Sequence, residues 1–211
     1  MSTVTGDPWS VDDANQLYEI ARWGDGYFQI SPSGHLTVSP NRVNAEAIDL
    51  PELVEGLHQR GLDLPILLRF NGIFRHRLKQ MHEAFAVAIE EHEYNNRYRC
   101  VFPIKVNQQR DVVQQIIEHG RDLGFGVEAG SKPELLAVVA MTDPKIPIIC
   151  NGFKDAEFIR MALMAQRMGR TVIPVVEKVS ELNRILELSD QLGVRPTLGM
   201  RVKLAARGSG R

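Results

Sequence analysis

Net charge is nearly absent from this sequence. Its 25 Lys and Arg stand against 26 Asp and Glu, a formal charge of -1, which gives no electrostatic case for nucleic acid or an anionic membrane as partner. A small molecule or another subunit is the partner class that remains. No apolar run is long enough to span a bilayer, and Met1 to Asp13 has neither the basic start nor the apolar core of a signal peptide. A cytoplasmic protein is therefore expected. Cysteine is scarce, at two residues. Cys100 lies near the start of one candidate strand and Cys150 at the end of another; about 16 Å of strand rise separates Cys100 from its own strand's far end, which argues against a disulfide and for free, buried thiols. A dinucleotide fingerprint is also missing: Asn107-Gln-Gln-Arg110, after the first candidate strand of the second half, holds no glycine, which counts against a Rossmann site. His76, His82 and His92 are not spaced i,i+4, so they do not form a helical metal pair and read as solvated helix residues.

What is present is ample apolar material. A length of 211 residues with 44% hydrophobic side chains supports one large domain or two small ones. Ser10 to Trp23 reads as a helix capped by Ser10. Residues 27–30 and 35–38 read as a hairpin around the turn formers Ser31-Pro-Ser-Gly34. A polar connection leads to a helix over 50–59 that Gly61 stops, then to a short apolar strand over 65–70. From Ile73 to Glu93 the stripe Phe74, Leu78, Met81, Phe85 and Ala88 or Ile89 predicts an amphipathic helix. Beyond Tyr98 the pattern alternates: strands near 99–105, 124–128, 146–150, 171–176 and 196–202, and helices near 110–119, 132–141, 155–168 and 179–192. Strands apolar throughout and interleaved with amphipathic helices predict a parallel sheet with helical crossovers. An open doubly wound sheet and a closed barrel both satisfy that pattern.

Lys105 ends the first of these strands. An ammonium at the tip of an apolar run costs several kcal/mol to bury unless paired or neutralised. Desolvation would favour the neutral amine, which forms Schiff bases with carbonyl substrates or with pyridoxal phosphate; the alternative is a lysine that snorkels into water. In parallel α/β folds functional groups gather at the C-terminal strand ends. Here those ends carry Lys105-Val-Asn107, Glu128-Ala-Gly-Ser131, Cys150-Asn-Gly-Phe153, Glu177-Lys178 and Arg201 through Ser209. Ser131 and Glu134 have the spacing of a capping box, with Pro133 tolerated in the first turn. Glu128 precedes that helix, within reach of the neighbouring strand end and Lys105. Asn151-Gly152 reads as a turn, and Gly208-Ser-Gly210 could offer backbone N–H groups to a phosphate.

Taken together, Val101-Phe-Pro-Ile-Lys-Val-Asn-Gln108, Gly126-Val-Glu-Ala-Gly-Ser-Lys-Pro-Glu-Leu-Leu-Ala137, Cys150-Asn-Gly-Phe-Lys-Asp155 and Gly199-Met-Arg-Val-Lys-Leu204 resemble the biosynthetic arginine decarboxylases. Tyr18-Glu-Ile-Ala-Arg-Trp-Gly-Asp-Gly-Tyr27 and Gly34-His-Leu-Thr-Val-Ser-Pro40 are similar to that family's start. The resemblance covers most of this chain, and about the first third of a typical member.

It implies a fold-type III enzyme, similar to alanine racemase, with a (β/α)8 barrel and a β domain. Residues 1–70 would contribute to the β domain and 71–211 would form the first part of the barrel, ending after the fifth strand. Lys105 would be the Schiff-base lysine for pyridoxal 5'-phosphate, with Glu128 and Arg201 as further cofactor-binding residues. The implied reaction is L-arginine to agmatine and carbon dioxide, feeding putrescine and spermidine synthesis, in a homo-oligomer. Magnesium is implied by the family alone, with no ligand set visible. The phosphate loop, the partner of the pyridinium nitrogen and the substrate-selecting residues would lie beyond Arg211, so an incomplete barrel with an exposed edge, inactive alone and prone to aggregate, is expected. Rival readings are an ornithine or diaminopimelate decarboxylase, a non-catalytic pyridoxal-phosphate carrier, which would lack a segment like 1–60, and a cofactor-free Schiff-base aldolase.

Overall fold

The computed structural model describes residues 8–202, and the chain divides into two units, Met1–Arg77 and Leu78–Arg211. The candidate phosphate loop Gly208-Ser-Gly210 lies outside the described residues.

In the first unit Ser10 closes a capping box on α1 (Val11–Leu17): its Oγ accepts the Asp13 N–H at 3.1 Å, and the Asp13 carboxylate accepts the Ser10 N–H at 2.8 Å. The helix expected through Trp23 does not continue. Glu19 adopts a left-handed φ of 48°, and a separate helix α2 (Ile20–Gly24) follows. The Trp23 indole N–H takes the Tyr18 carbonyl at 2.8 Å, and the break lets Ile20 turn inward to 5% exposure. A three-stranded antiparallel sheet follows, β1 (Phe28–Ile30), β2 (Leu36–Val38) and β3 (Ile48–Asp49), with Phe28 opposite Val38 and Thr37 opposite Asp49. The expected hairpin is there, and Gly34 supplies its positive φ of 83°. Asp49 ends β3 and caps α3 (Leu50–His58), accepting the Glu52 N–H at 3.0 Å while its other oxygen meets His35 Nδ1 at 2.7 Å. Residues 65–70 do not form the expected strand. No strand runs beside them among the described residues, and Leu67 is 73% exposed; an apolar alternation without a ladder partner is not a strand.

The helix α4 runs Asn71–Glu91. Its histidines differ from expectation: His76 and His82 are half-buried, and only His92 is exposed. His76 Nδ1 meets the Tyr27 hydroxyl at 2.7 Å, which accounts for its burial. Within the second unit, Leu78 of α4 is buried and Phe85 stacks on Tyr98 with ring centroids 3.8 Å apart.

The second sheet is parallel, β4 (Val101–Pro103), β5 (Gly126–Ala129), β6 (Ile148–Cys150), β7 (Val172–Val176) and β8 (Gly199–Met200), and its spatial order equals its chain order. The helices α5 (Arg110–Gly120), α6 (Lys132–Met141), α7 (Ala156–Arg167) and α8 (Val179–Leu192) connect these strands. A doubly wound sheet reverses direction at a switch point. This sheet has none among its described strands, so the winding is that of a barrel. The core holds Val127, Leu135, Val138, Ile148, Phe158 and Val172, each 2% exposed or less. Burial of one such side chain contributes about 1.5–3 kcal/mol. Gly126 is required by packing, since a Cβ there would lie 2.5 Å from the carbonyl oxygen of Pro147, the residue before β6.

Candidate functional site

Each strand of the parallel sheet delivers a polar group where it ends. β4 stops at Pro103, earlier than the sequence suggests, and Lys105 sits in the 3₁₀ turn Ile104–Val106. Ile104 is buried at 3%, which anchors the turn in the core and leaves Lys105 facing out. Of the two readings of Lys105, desolvated or reaching into solvent, the described residues match the second: its side chain is 67% exposed. Asn107 then accepts the Gln109 N–H at 3.0 Å through Oδ1, turning the chain into α5.

Lys105 Nζ stands 3.7 Å from Glu128 Oε1. Glu128 belongs to β5 and is 18% exposed; its second oxygen accepts a hydrogen bond from Asn151 Nδ2 at 2.6 Å. Asn151-Gly152, which the sequence suggested as a turn, is thereby also a brace for the carboxylate. Ser131 caps α6 as expected, accepting the Glu134 N–H at 3.4 Å. The reciprocal half of the box is different: Glu134 Oε2 accepts the Gly130 N–H at 2.7 Å, and Oε1 accepts Gln108 Nε2 at 3.1 Å. Glu134 therefore ties the β5 end to the segment that follows Lys105.

Farther along the rim, Glu177 accepts the Gly152 N–H at 2.7 Å through Oε1 and Arg201 Nη1 at 3.2 Å through Oε2. The Arg201 N–H donates to the Val176 carbonyl at 3.0 Å, which fixes its backbone beside β7. Lys105, Glu128 and Arg201 all line one groove of about 580 Å³, together with Gly130, Asn151 and Gly152. That volume suits a small-molecule site. Gly152 has a φ of 83°, and a Cβ there would lie 3.2 Å from the Gly130 carbonyl oxygen, so the two glycine loops meet closely under the groove.

Sequence reasoning gave Glu134 only a capping role and placed Glu177 on the rim without a partner, although both are acidic residues at or just past strand ends. The usable signal was position: Glu177 follows β7 as Glu128 ends β5. Cys150 is fully buried, and both cysteines are free. Burial pushes the Cys150 thiol up to about 12, opposed by the Lys154 charge. Among the described residues, no three His, Cys, Asp or Glu side chains converge as a metal site. No described helix is long and apolar enough to cross a membrane.

The sequence model of the family described as "Pyridoxal-dependent decarboxylase, pyridoxal binding domain" matches residues 72–210. The chain belongs to the pyridoxal-dependent decarboxylases. Among curated relatives, it is 64% identical over 211 residues to the biosynthetic arginine decarboxylase of Rhodopirellula baltica, covering 100% of this chain and 32% of that protein. It is 46% identical over 213 residues to biosynthetic arginine decarboxylase 1 of Synechocystis, covering 96% and 31%. The crystal structure of the biosynthetic arginine decarboxylase SpeA from Campylobacter jejuni superposes with a TM-score of 0.81 at 30% identity, covering 89% of this chain and 31% of that one. The resemblance drawn from the sequence motifs is borne out, as is the fold: the described β/α units form a parallel sheet that matches an incomplete barrel of this family. The chain spans about a third of the length of the curated relatives it matches.

Proposed function

We propose that this chain carries the lysine-bearing part of a pyridoxal-phosphate-dependent decarboxylase that converts L-arginine to agmatine and carbon dioxide. The observation that carries the reading is Lys105 Nζ, exposed at the mouth of the groove and 3.7 Å from Glu128 Oε1. The names of the relatives supply the substrate.

The residues present fit the cofactor: a free amine for its aldehyde, a cation on the far side and two glycine loops beneath. Lys105 would hold it covalently, Glu128 and Arg201 would orient it. When bound, pyridoxal phosphate supplies the sink for the electron pair left as carbon dioxide departs. The protein's part is placement. Asn151 takes one Glu128 oxygen and leaves the other directed at Lys105 Nζ, where it would pair with the amine's charge and orient it. Glu177 aims Arg201 along the rim. Residues 1–70 belong, on this reading, with a β domain and 71–211 with the barrel. The enzyme works in the cytoplasm as a homo-oligomer within polyamine synthesis. Magnesium finds no ligand set among the described residues, and no step is assigned to it.

The test is carbon dioxide release by the full-length protein from arginine, ornithine and diaminopimelate. Release from arginine alone is expected, falling roughly 10³-fold or more in Lys105→Ala. Release from ornithine or diaminopimelate instead would reassign the substrate, and a cofactor-loaded protein that releases nothing would point to a carrier.

A further inference from the structure

Among the described residues the Arg201 guanidinium meets Glu177 Oε2 at 3.2 Å. Its direction comes from Glu177 Oε2, and the direction of Glu177 comes from behind. Lys154 lies one step below the rim with its side chain 1% exposed. Its Nζ donates to the Gly152 carbonyl and stands 3.8 Å from Glu177 Oε1 and 3.6 Å from Glu181 Oε2. Glu181, 6% exposed, accepts the Lys154 N–H at 3.3 Å and the Glu177 N–H at 2.8 Å. Two cations, Lys154 and Arg201, thus balance two carboxylates in one chain of contacts that begins in the interior and ends at the groove.

The decarboxylation scheme above leaves Lys154 without a task. Stability alone is a weak reason for it, because an apolar side chain of similar volume commonly serves a buried site as well as an ion pair does. What an apolar residue cannot do is fix the rotation of a carboxylate. Lys154 and the Gly152 N–H together hold Glu177 Oε1, which leaves Oε2 as the oxygen that meets Arg201.

We propose that Lys154 is a positioning residue for the cofactor: through Glu177 it sets the direction of Arg201 at the groove. The proposal rests on the pyridoxal-phosphate reading. Outer-shell partners that orient a binding group are commonly worth about 10- to 100-fold in ligand affinity.

The experiment is titration of pyridoxal phosphate into the apo form of the full-length protein, followed by the absorbance of the bound cofactor, with melting temperature measured in parallel. Lys154→Met is expected to weaken cofactor affinity by about tenfold. In an Arg201→Ala background it should add nothing further, because both changes remove the same contact. Glu177→Gln keeps the shape of the side chain and leaves the Lys154 and Glu181 pair intact; it should reproduce the loss of affinity with little change in melting temperature, and it decides the matter if Lys154→Met does not fold. Wild-type affinity in Glu177→Gln, or a Lys154→Met effect that multiplies with that of Arg201→Ala, would overturn the proposal. Absence of pyridoxal-phosphate binding by the wild-type protein would overturn the underlying reading, and the proposal with it.

Discussion

Two lysines just past strand ends of the parallel sheet face glutamates at almost the same distance, yet their surroundings make them different instruments. Lys105 meets one carboxylate at 3.7 Å and is 67% exposed. Lys154 meets two, at 3.6 and 3.8 Å, and is 1% exposed. An interior ammonium must recover its lost hydration from fixed partners, and Lys154 does so with two carboxylates and a backbone carbonyl. Lys105 faces a single carboxylate, and among the described residues its Nζ stays open to the groove. The comparison separates a lysine whose Nζ lines the groove from one tied into the interior by its partners.

The sharpest way to break the comparison is to exchange the consequences. Lys105→Ala should abolish activity, roughly 10³-fold or more, while shifting stability by no more than about 0.5 kcal/mol, as for an exposed site. Lys154→Met should do the reverse in stability: it leaves Glu181 buried without its cation and should cost about 3 kcal/mol or more by denaturant unfolding. Equal destabilisation by the two substitutions would dissolve the distinction.

Acid sharpens the same contrast. Burial pushes the Glu181 carboxyl up, but the Glu177 N–H, the Lys154 charge and further backbone N–H groups together hold it below its ordinary value of 4.5. A carboxylate lowered in the folded state contributes stability above its unfolded pKa and loses it as the pH falls through the folded value. Stability should therefore decline below about pH 4.5 with a contribution that disappears in Glu181→Gln, measured by unfolding across pH 3–6. An unchanged acid profile in that variant would remove Glu181 from the cluster's energetics.

The smallest expected effect concerns the thiols. Cys150 is buried beside the Lys154 loop with its thiol pushed up to about 12, whereas Cys100 is half-buried. Thiolate is the reactive form, so a maleimide at neutral pH should label Cys100 first and Cys150 only on unfolding. Labelling of Cys150 in the native protein would show that this part of the rim opens.

Much of this was legible in the residues. Alternation of apolar strands with amphipathic helices marked the parallel sheet, because strands covered on both faces must be apolar throughout. Strand-end position pointed to Lys105 and Glu128 and the family resemblance to Arg201, and the fold brings the three around one groove. The strand-end position of Lys105 left both a desolvated and a solvated lysine open, and nothing marked Lys154 as the buried cation. A neighbouring apolar run does not reveal which way one side chain turns, and Lys154, in the polar context Asn151-Gly-Phe-Lys-Asp155, gives no local sign that Glu181 from α8 will close over it. The failures at Glu19 and at residues 65–70 have the same origin. Tyr18's carbonyl is captured by the Trp23 indole, and the apolar segment finds no strand to pair with among the described residues. Local patterns record propensity, while partners are set by tertiary contact.

The central claim is that Lys105, and not Lys154, takes the cofactor. Its most direct test is borohydride reduction of the cofactor-loaded full-length protein, followed by peptide mass mapping. The account predicts one pyridoxyl adduct, on Lys105, absent in Lys105→Ala. An adduct on Lys154, or no adduct on Lys105 in a protein that holds the cofactor, would contradict it.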